Sequence, residues 1–161
     1  MVKEFQDEFF VRQCLVLDTF TTDLARFEDM VSVAASLLTA VENRDGLMDL
    51  CFQANRPELI TAGRGYAQTS QQLEALATLA PDATGSEDFL LMLHERARLM
   101  SGCLLVLSCV DDMRQQLVDA VESRGVHTAV FVITDPEDNT PLRADYHRLN
   151  LGDIEAGLAQ L

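Results

Sequence analysis

Two apolar runs of the chain end in residues able to do chemistry. Val11 to Leu17 stops at Asp18-Thr19-Phe20-Thr21-Thr22, and Cys103 to Leu107 stops at Ser108-Cys109-Val110-Asp111-Asp112. A third polar group, Thr84-Gly85-Ser86, precedes a helical pattern. Their carboxylate and hydroxyl oxygens suit a hard divalent cation or the polar groups of a partner. Asp111 and Asp112 read first as favourable charges at a helix N-terminus and second as metal or partner ligands. Cys109 ends a strand just ahead of that helix, where a thiolate is favoured, and so is a candidate nucleophile. Against this, His94, His127 and His147 do not fall in loops that converge on it. A buried structural thiol is therefore the expected role.

The elements that carry these groups alternate. The first apolar run reads as a buried strand. Thr21, Thr22 and Asp23 offer N-caps to a helix whose apolar residues recur from Leu24 to Val41, and Asp45-Gly46 ends it. Leu47 to Gln53 is a second strand, and Leu59-Ile60-Thr61 returns from the turn Asn55-Arg56-Pro57. So close a return must be antiparallel, since a parallel one needs a crossover. Ser70 to Leu79 reads as a modest helix. Thr84 and Glu87 have the spacing of a capping box before a helix from Glu87 to Met100. Cys103 to Leu107 is apolar throughout, as central parallel strands are. A helix from Asp111-Asp112 to Gly125 and a strand from Val126 to Ile133 follow. After a loop rich in Asp, Pro and Asn, a short strand near His147 and a helix from Asp153 to Leu161 close the domain. This order predicts an α/β fold, doubly wound, with a mostly parallel sheet, one antiparallel edge strand and helices on both faces. In such sheets ligands bind beyond the carboxyl ends of the strands where strand order reverses. The three polar groups are expected to share that edge.

Composition narrows the chemistry. The 161 residues suit one domain, and a hydrophobic share of 48% with 24% charged residues is that of a globular protein. A net charge of -14 repels phosphate backbones and anionic lipid and attracts basic partners or divalent cations. Lys3 is the only lysine. A P-loop lysine, a Schiff base and a catalytic lysine amine in the folded interior are thereby excluded. Cys14, Cys51, Cys103 and Cys109 each read as lying within an apolar strand, without Cys-x-x-Cys spacing, and are expected to be buried free thiols. A redox-sensing thiol among them is a further reading. No signal peptide and no membrane-spanning run is present in the sequence, so the chain is expected to be soluble and cytoplasmic.

An apolar strand ending at Asp18, with Thr22, Ser86 and the Ser108–Asp112 loop beyond it, resembles the von Willebrand factor A-like fold, a Rossmann-like three-layer sandwich. The resemblance implies a metal-ion-dependent adhesion site, in which an Asp-x-Ser-x-Ser strand end, a loop threonine and a later aspartate hold Mg²⁺. Asp18 keeps the first position, and Thr22 stands in for the second serine. Ser86 falls near the threonine. Phe20 replaces the first serine and Cys109 the second aspartate, neither a ligand for a hard cation. The implied site is therefore degenerate: Asp18, Thr22 and Ser86 remain, with no cofactor expected beyond weakly held Mg²⁺ or Mn²⁺.

Lys3-Glu4-Phe5, Leu15-Val16-Leu17-Asp18-Thr19, Arg44-Asp45-Gly46-Leu47, Gly63-Arg64-Gly65 and the Leu104 to Ser108 strand are similar to one bacterial branch, domain-of-unknown-function family fifty-eight. That likeness implies a C-terminal piece of a longer membrane-tethered protein, working with a MoxR-type AAA+ ATPase. It supplies no catalytic residue. The expected function is a non-enzymatic protein-interaction or scaffolding module, with no nucleic acid and no membrane contact by this segment. Its contact residues would be Asp18, Phe20, Thr22, Ser86, Cys109, Asp111 and Asp112. Phe20 is either tucked over a vacant metal site or exposed as an anchor. The alternative is a phosphate-ester hydrolase of haloacid dehalogenase type using Asp18. It lacks a general acid-base carboxylate at Phe20 and a lysine to neutralise the transition state.

Overall fold

Strands β1 (Arg12–Leu17), β2 (Leu47–Gln53), β3 (Pro57–Ile60), β4 (Gly102–Leu107), β5 (His127–Thr134) and β6 (Tyr146–Asn150) form one six-stranded sheet in the order β3-β2-β1-β4-β5-β6. The computed structural model describes residues 12–44, 46–63, 66–82 and 87–161. Among the described residues, five helices accompany the sheet: α1 (Leu24–Glu42), α2 (Tyr66–Thr78), α3 (Glu87–Ala97), α4 (Asp112–Glu122) and α5 (Ile154–Leu158). β3 runs antiparallel to β2, with Phe52 opposite Glu58 and Gln53 opposite Pro57, as the short hairpin requires. Every other pairing is parallel. The predicted fold class is thus the observed one.

The period of the central strands sorts side chains into two cores. Cys14 and Val16 face the layer that holds Phe89 and Leu93 of α3 and Leu117 and Val121 of α4. Leu15 and Leu17 face the layer that holds Met30, Val33 and Leu38 of α1, Leu76 of α2 and Ile154 of α5. β4 and β5 alternate likewise, with Leu105 and Val130 on the first side and Val106 and Phe131 on the second. A strand covered on both faces must be apolar at nearly every position, which is why these runs lack alternation.

Several boundaries differ from the sequence expectation. α2 begins at Tyr66 rather than Ser70; its first turn, Tyr66-Ala67-Gln68-Thr69, lies ahead of the leucine period that marks the rest of the helix. Buried Gln72 ties that helix to the hairpin, donating to the carbonyls of Met48 and Ile60. α3 stops at Ala97, three residues before the expected Met100. His147 lies within β6, stacked on Phe131 at 5.1 Å between ring centroids. No helix among the described residues is long and apolar enough to cross a membrane.

Candidate functional site

Strand order reverses between β1, which pairs with β2 on one side, and β4 on the other. The register sets Leu17 beside Val106, so Asp18 emerges next to Ser108. The Asp18 amide still donates to the Val106 carbonyl at 3.0 Å, which holds the loop against the sheet as it leaves. Oδ1 of Asp18 then accepts the amide of Phe20 at 2.9 Å, the local turn that aspartate side chains favour. Thr19 donates its hydroxyl to the carbonyl of Gln53 at 2.7 Å and locks the loop to the end of β2.

Oδ2 of Asp18 accepts both the amide of Ser108, at 2.9 Å, and its hydroxyl, at 2.7 Å. The remaining donor comes from α4. Asp111 caps that helix by accepting the Arg114 amide at 2.9 Å, and the cap directs the Arg114 side chain back across the switch point. Its Nε donates to Asp18 Oδ2 at 2.8 Å, and its Nη1 donates to Asp111 Oδ2 at 2.6 Å. Nη2 donates to the carbonyl of Phe20 and reaches Asp18 Oδ1 at 3.5 Å. Asp18 is 0% exposed and Arg114 7%. The pair is therefore a buried ion pair with its hydrogen bonds made, the condition under which such a pair is tolerated.

The charges respond to this enclosure. Burial opposes the charge of Arg114, but Asp18 and Asp111 outweigh it and hold its proton more tightly than usual. Burial also opposes ionisation of Asp111, but the amide and guanidinium of Arg114 prevail and keep its carboxyl below the ordinary value. The Cys109 thiol is pushed up, first by burial of part of the residue, with the neighbouring carboxylates Asp111 and Asp18 adding to it.

A cavity of about 690 Å³ opens over the ends of β4 and β5, between the Asp18 loop and the loop that leaves β5. Phe20, Thr22, Cys109 and Arg114 line one side, and Thr134 and Leu142 the other. Arg26 of α1 bridges the two strand ends, donating to the carbonyls of Ser108 at 3.0 Å and Ile133 at 2.5 Å and to Asp135 at 3.0 Å.

Of the residues expected here, Asp18, Phe20, Ser108, Cys109 and Asp111 are brought together, and Thr22 borders the same cavity. Asp112 is exposed at the start of α4. Ser86 and Thr84 lie outside the described residues. Phe20, left between two orientations by the sequence, is buried, its ring edge-on to Phe89 at 5.8 Å. Cys109 was expected to lie buried within a strand; it is exposed, because β4 ends at Leu107 and the thiol falls in the loop beyond. Two further residues, Arg114 and Arg26, were missed. The available signal for Arg114 was a helix cap at Asp111 with an arginine three residues on, facing a buried strand-end aspartate in a chain with one lysine.

A cation at Asp18 would have to displace the Arg114 guanidinium, since both carboxylate oxygens already accept protein donors. Among the described residues, no group of three or more His, Cys, Asp or Glu is arranged to hold a metal ion.

The fold has counterparts among solved structures. The SpRpn10 VWA domain superposes with a TM-score of 0.56 over 94% of this chain and 95% of its own, at 10% identity. The manganese-loaded TRAP protein of Plasmodium vivax gives 0.53 over 92% of this chain and 71% of its own, at 16% identity. An aerotolerance-related membrane protein from Bacteroides fragilis gives 0.52 over 83% and 76%, at 13% identity. At these identities the likeness is one of fold: the chain is built as von Willebrand factor A domains are. No family model matches the sequence, and no curated protein matches it.

Proposed function

We propose that this chain, built on the von Willebrand factor A fold, is a non-enzymatic protein-interaction module whose adhesion-type site is degenerate and works without a divalent cation. Domains of this fold serve as interaction modules, and the switch-point edge, with its open cavity, is the surface offered. The observation that carries the metal-free reading is the Arg114–Asp18 pair. One of the similar folds is manganese-loaded; here the aspartate at the switch point already holds a guanidinium. The donor set does not fit a hard cation. Asp18 has its oxygens occupied, Phe20 brings a ring, and Cys109 brings sulfur.

The hydrolase alternative finds no support. A nucleophilic carboxylate must reach phosphorus, whereas Asp18 is fully buried and bonded to Ser108 and Arg114. The likeness to domain-of-unknown-function family fifty-eight makes a MoxR-type AAA+ ATPase the first partner to test, by sedimentation of the mixed proteins.

The decisive experiment is calorimetric titration of the chelator-treated protein with Mg²⁺ and Mn²⁺, with Asp18→Asn as reference. No saturable heat and no gain in thermal stability are expected. One-site binding that disappears in Asp18→Asn would overturn the metal-free reading.

A further inference from the structure

Carboxylates outnumber arginines around the cavity edge. Arg114 faces two carboxylates, Asp18 and Asp111. Arg26 also faces two, Asp135 at 3.0 Å and Asp23 at 3.6 Å. Arg148 turns its guanidinium onto the carbonyls of Asp138 and Thr140. Each of the first two arginines therefore leaves one negative charge in surplus. Asp112, Glu137 and Asp138 add exposed carboxylates with no ion pair among the described residues. A concave site walled by protein concentrates such a field beyond what the same charges give on a flat surface.

The walls are of the opposite character. Val110 is 41% exposed beside the mouth, and Pro141 and Leu142 line the far side. Between them Thr134 is 5% exposed, and its Oγ1 has no hydrogen-bond partner among the described residues.

Apolar walls and an acidic rim match a side chain with an apolar stem and a cationic head. We infer that the cavity takes an arginine or lysine side chain, flanked by an apolar residue, from a basic segment of a partner protein. The inference rests on the metal-free reading, because a divalent cation at Asp18 would return the edge to the polarity that attracts carboxylates. The guanidinium or ammonium head sits among Asp111, Asp135 and Asp138, the stem lies along Leu142 and Val110, and the neighbouring apolar residue covers the mouth. Recognition then owes its selectivity to charge sign, and its strength falls as salt screens the rim.

The test uses two fluorescent hexapeptides, one alternating arginine with leucine and one alternating glutamate with leucine, followed by anisotropy with chelator and again with Mg²⁺. The arginine peptide is expected to bind saturably in chelator, less tightly at high salt, and to shift the amide resonances of Val110 and Thr134. Asp135→Asn with Asp138→Asn, both lining the cavity, should weaken it by about threefold to tenfold, the scale of two exposed charges. Glu42→Gln with Glu95→Gln, at the C-terminal ends of α1 and α3, should leave it unchanged. Equal loss in both double variants would reduce the binding to general attraction by an acidic protein and overturn the inference. Binding of neither peptide would also overturn it while leaving the metal-free module standing. A glutamate peptide that binds only with Mg²⁺ would refute both.

Discussion

Replacing Arg114 with methionine removes the countercharge of Asp18 while keeping an unbranched side chain in its place. Asp18 then lies 0% exposed with the hydrogen bonds of Phe20 and Ser108 but no cation. Breaking a buried pair from one side costs about 3–5 kcal/mol, because the remaining charge stays desolvated. In a domain of this size each kcal/mol moves the melting temperature by about 2–4 °C, so a fall of roughly 6–20 °C is expected. The same substitution at Arg143 is the internal comparison. Arg143 bonds Glu122 at 2.6 Å and Asp145 at 2.5 Å, but its side chain is 42% exposed, and solvent screening holds the loss to about 1 kcal/mol or less. Urea unfolding of both variants in chelator, with thermal melts alongside, measures the difference. Where Arg114→Met is too unstable to purify, Arg114→Lys keeps the charge but not the fork and should lose an intermediate amount. Combining Arg114→Met with Asp18→Asn should cost less than the two changes added. A loss at Arg114 no larger than at Arg143, or simple additivity with Asp18→Asn, would refute the view that this pair holds the switch point together.

Acid should weaken the fold through carboxylates whose pKa is depressed. Hydrogen bonding to Arg143 lowers both Glu122 and Asp145, the latter to about 2, and Asp111 is lowered against its burial by Arg114. Groups depressed in the folded state stabilise it above their unfolded pKa and lose that contribution as pH falls through the folded value. The urea midpoint should therefore be level above pH 5 and decline from about 4.5, the ordinary value for Glu122, towards about 2. A midpoint that rises on acidification through that window would contradict the assignment. The thiols give a separate check. Cys14 and Cys51, with sulfurs 3.1 Å apart, and Cys103 are buried, whereas Cys109 is exposed. A thiol-specific disulfide reagent should titrate Cys109 alone in the native protein and the full set of 4 after denaturation. The native reaction should quicken towards alkaline pH, since the Cys109 thiol sits above its ordinary value. Rapid reaction of a second native thiol would mean that the β1–β2 layer opens readily.

The sheet was legible because its signals are local. A short apolar run without alternation reads as a strand covered on both faces, so β4 could be placed centrally from its residues. The hairpin from β2 to β3 is too short for anything but an antiparallel return. Asp18 stood out by its place at the end of the first apolar run, where the structure also ends β1. The end of β4 at Leu107 was read as observed, but Cys109 just beyond it was still grouped with the buried strand thiols. That cost the correct exposure of Cys109.

What fills the switch point was decided by tertiary structure. Arg114 lies 96 positions from Asp18 in the chain, and nothing in the spacing of either couples them. They meet because β1 and β4 pair in a register that sets Asp18 beside Ser108, and because the Asp111 cap starts α4 at the one turn from which an arginine can reach back. The burial of Phe20 against Phe89 depends likewise on where α3 packs. Residue type and period determine which element forms and which face is apolar. The countercharge of a buried carboxylate is set by the docking of distant elements, and so appears only when the sheet and its helices are assembled.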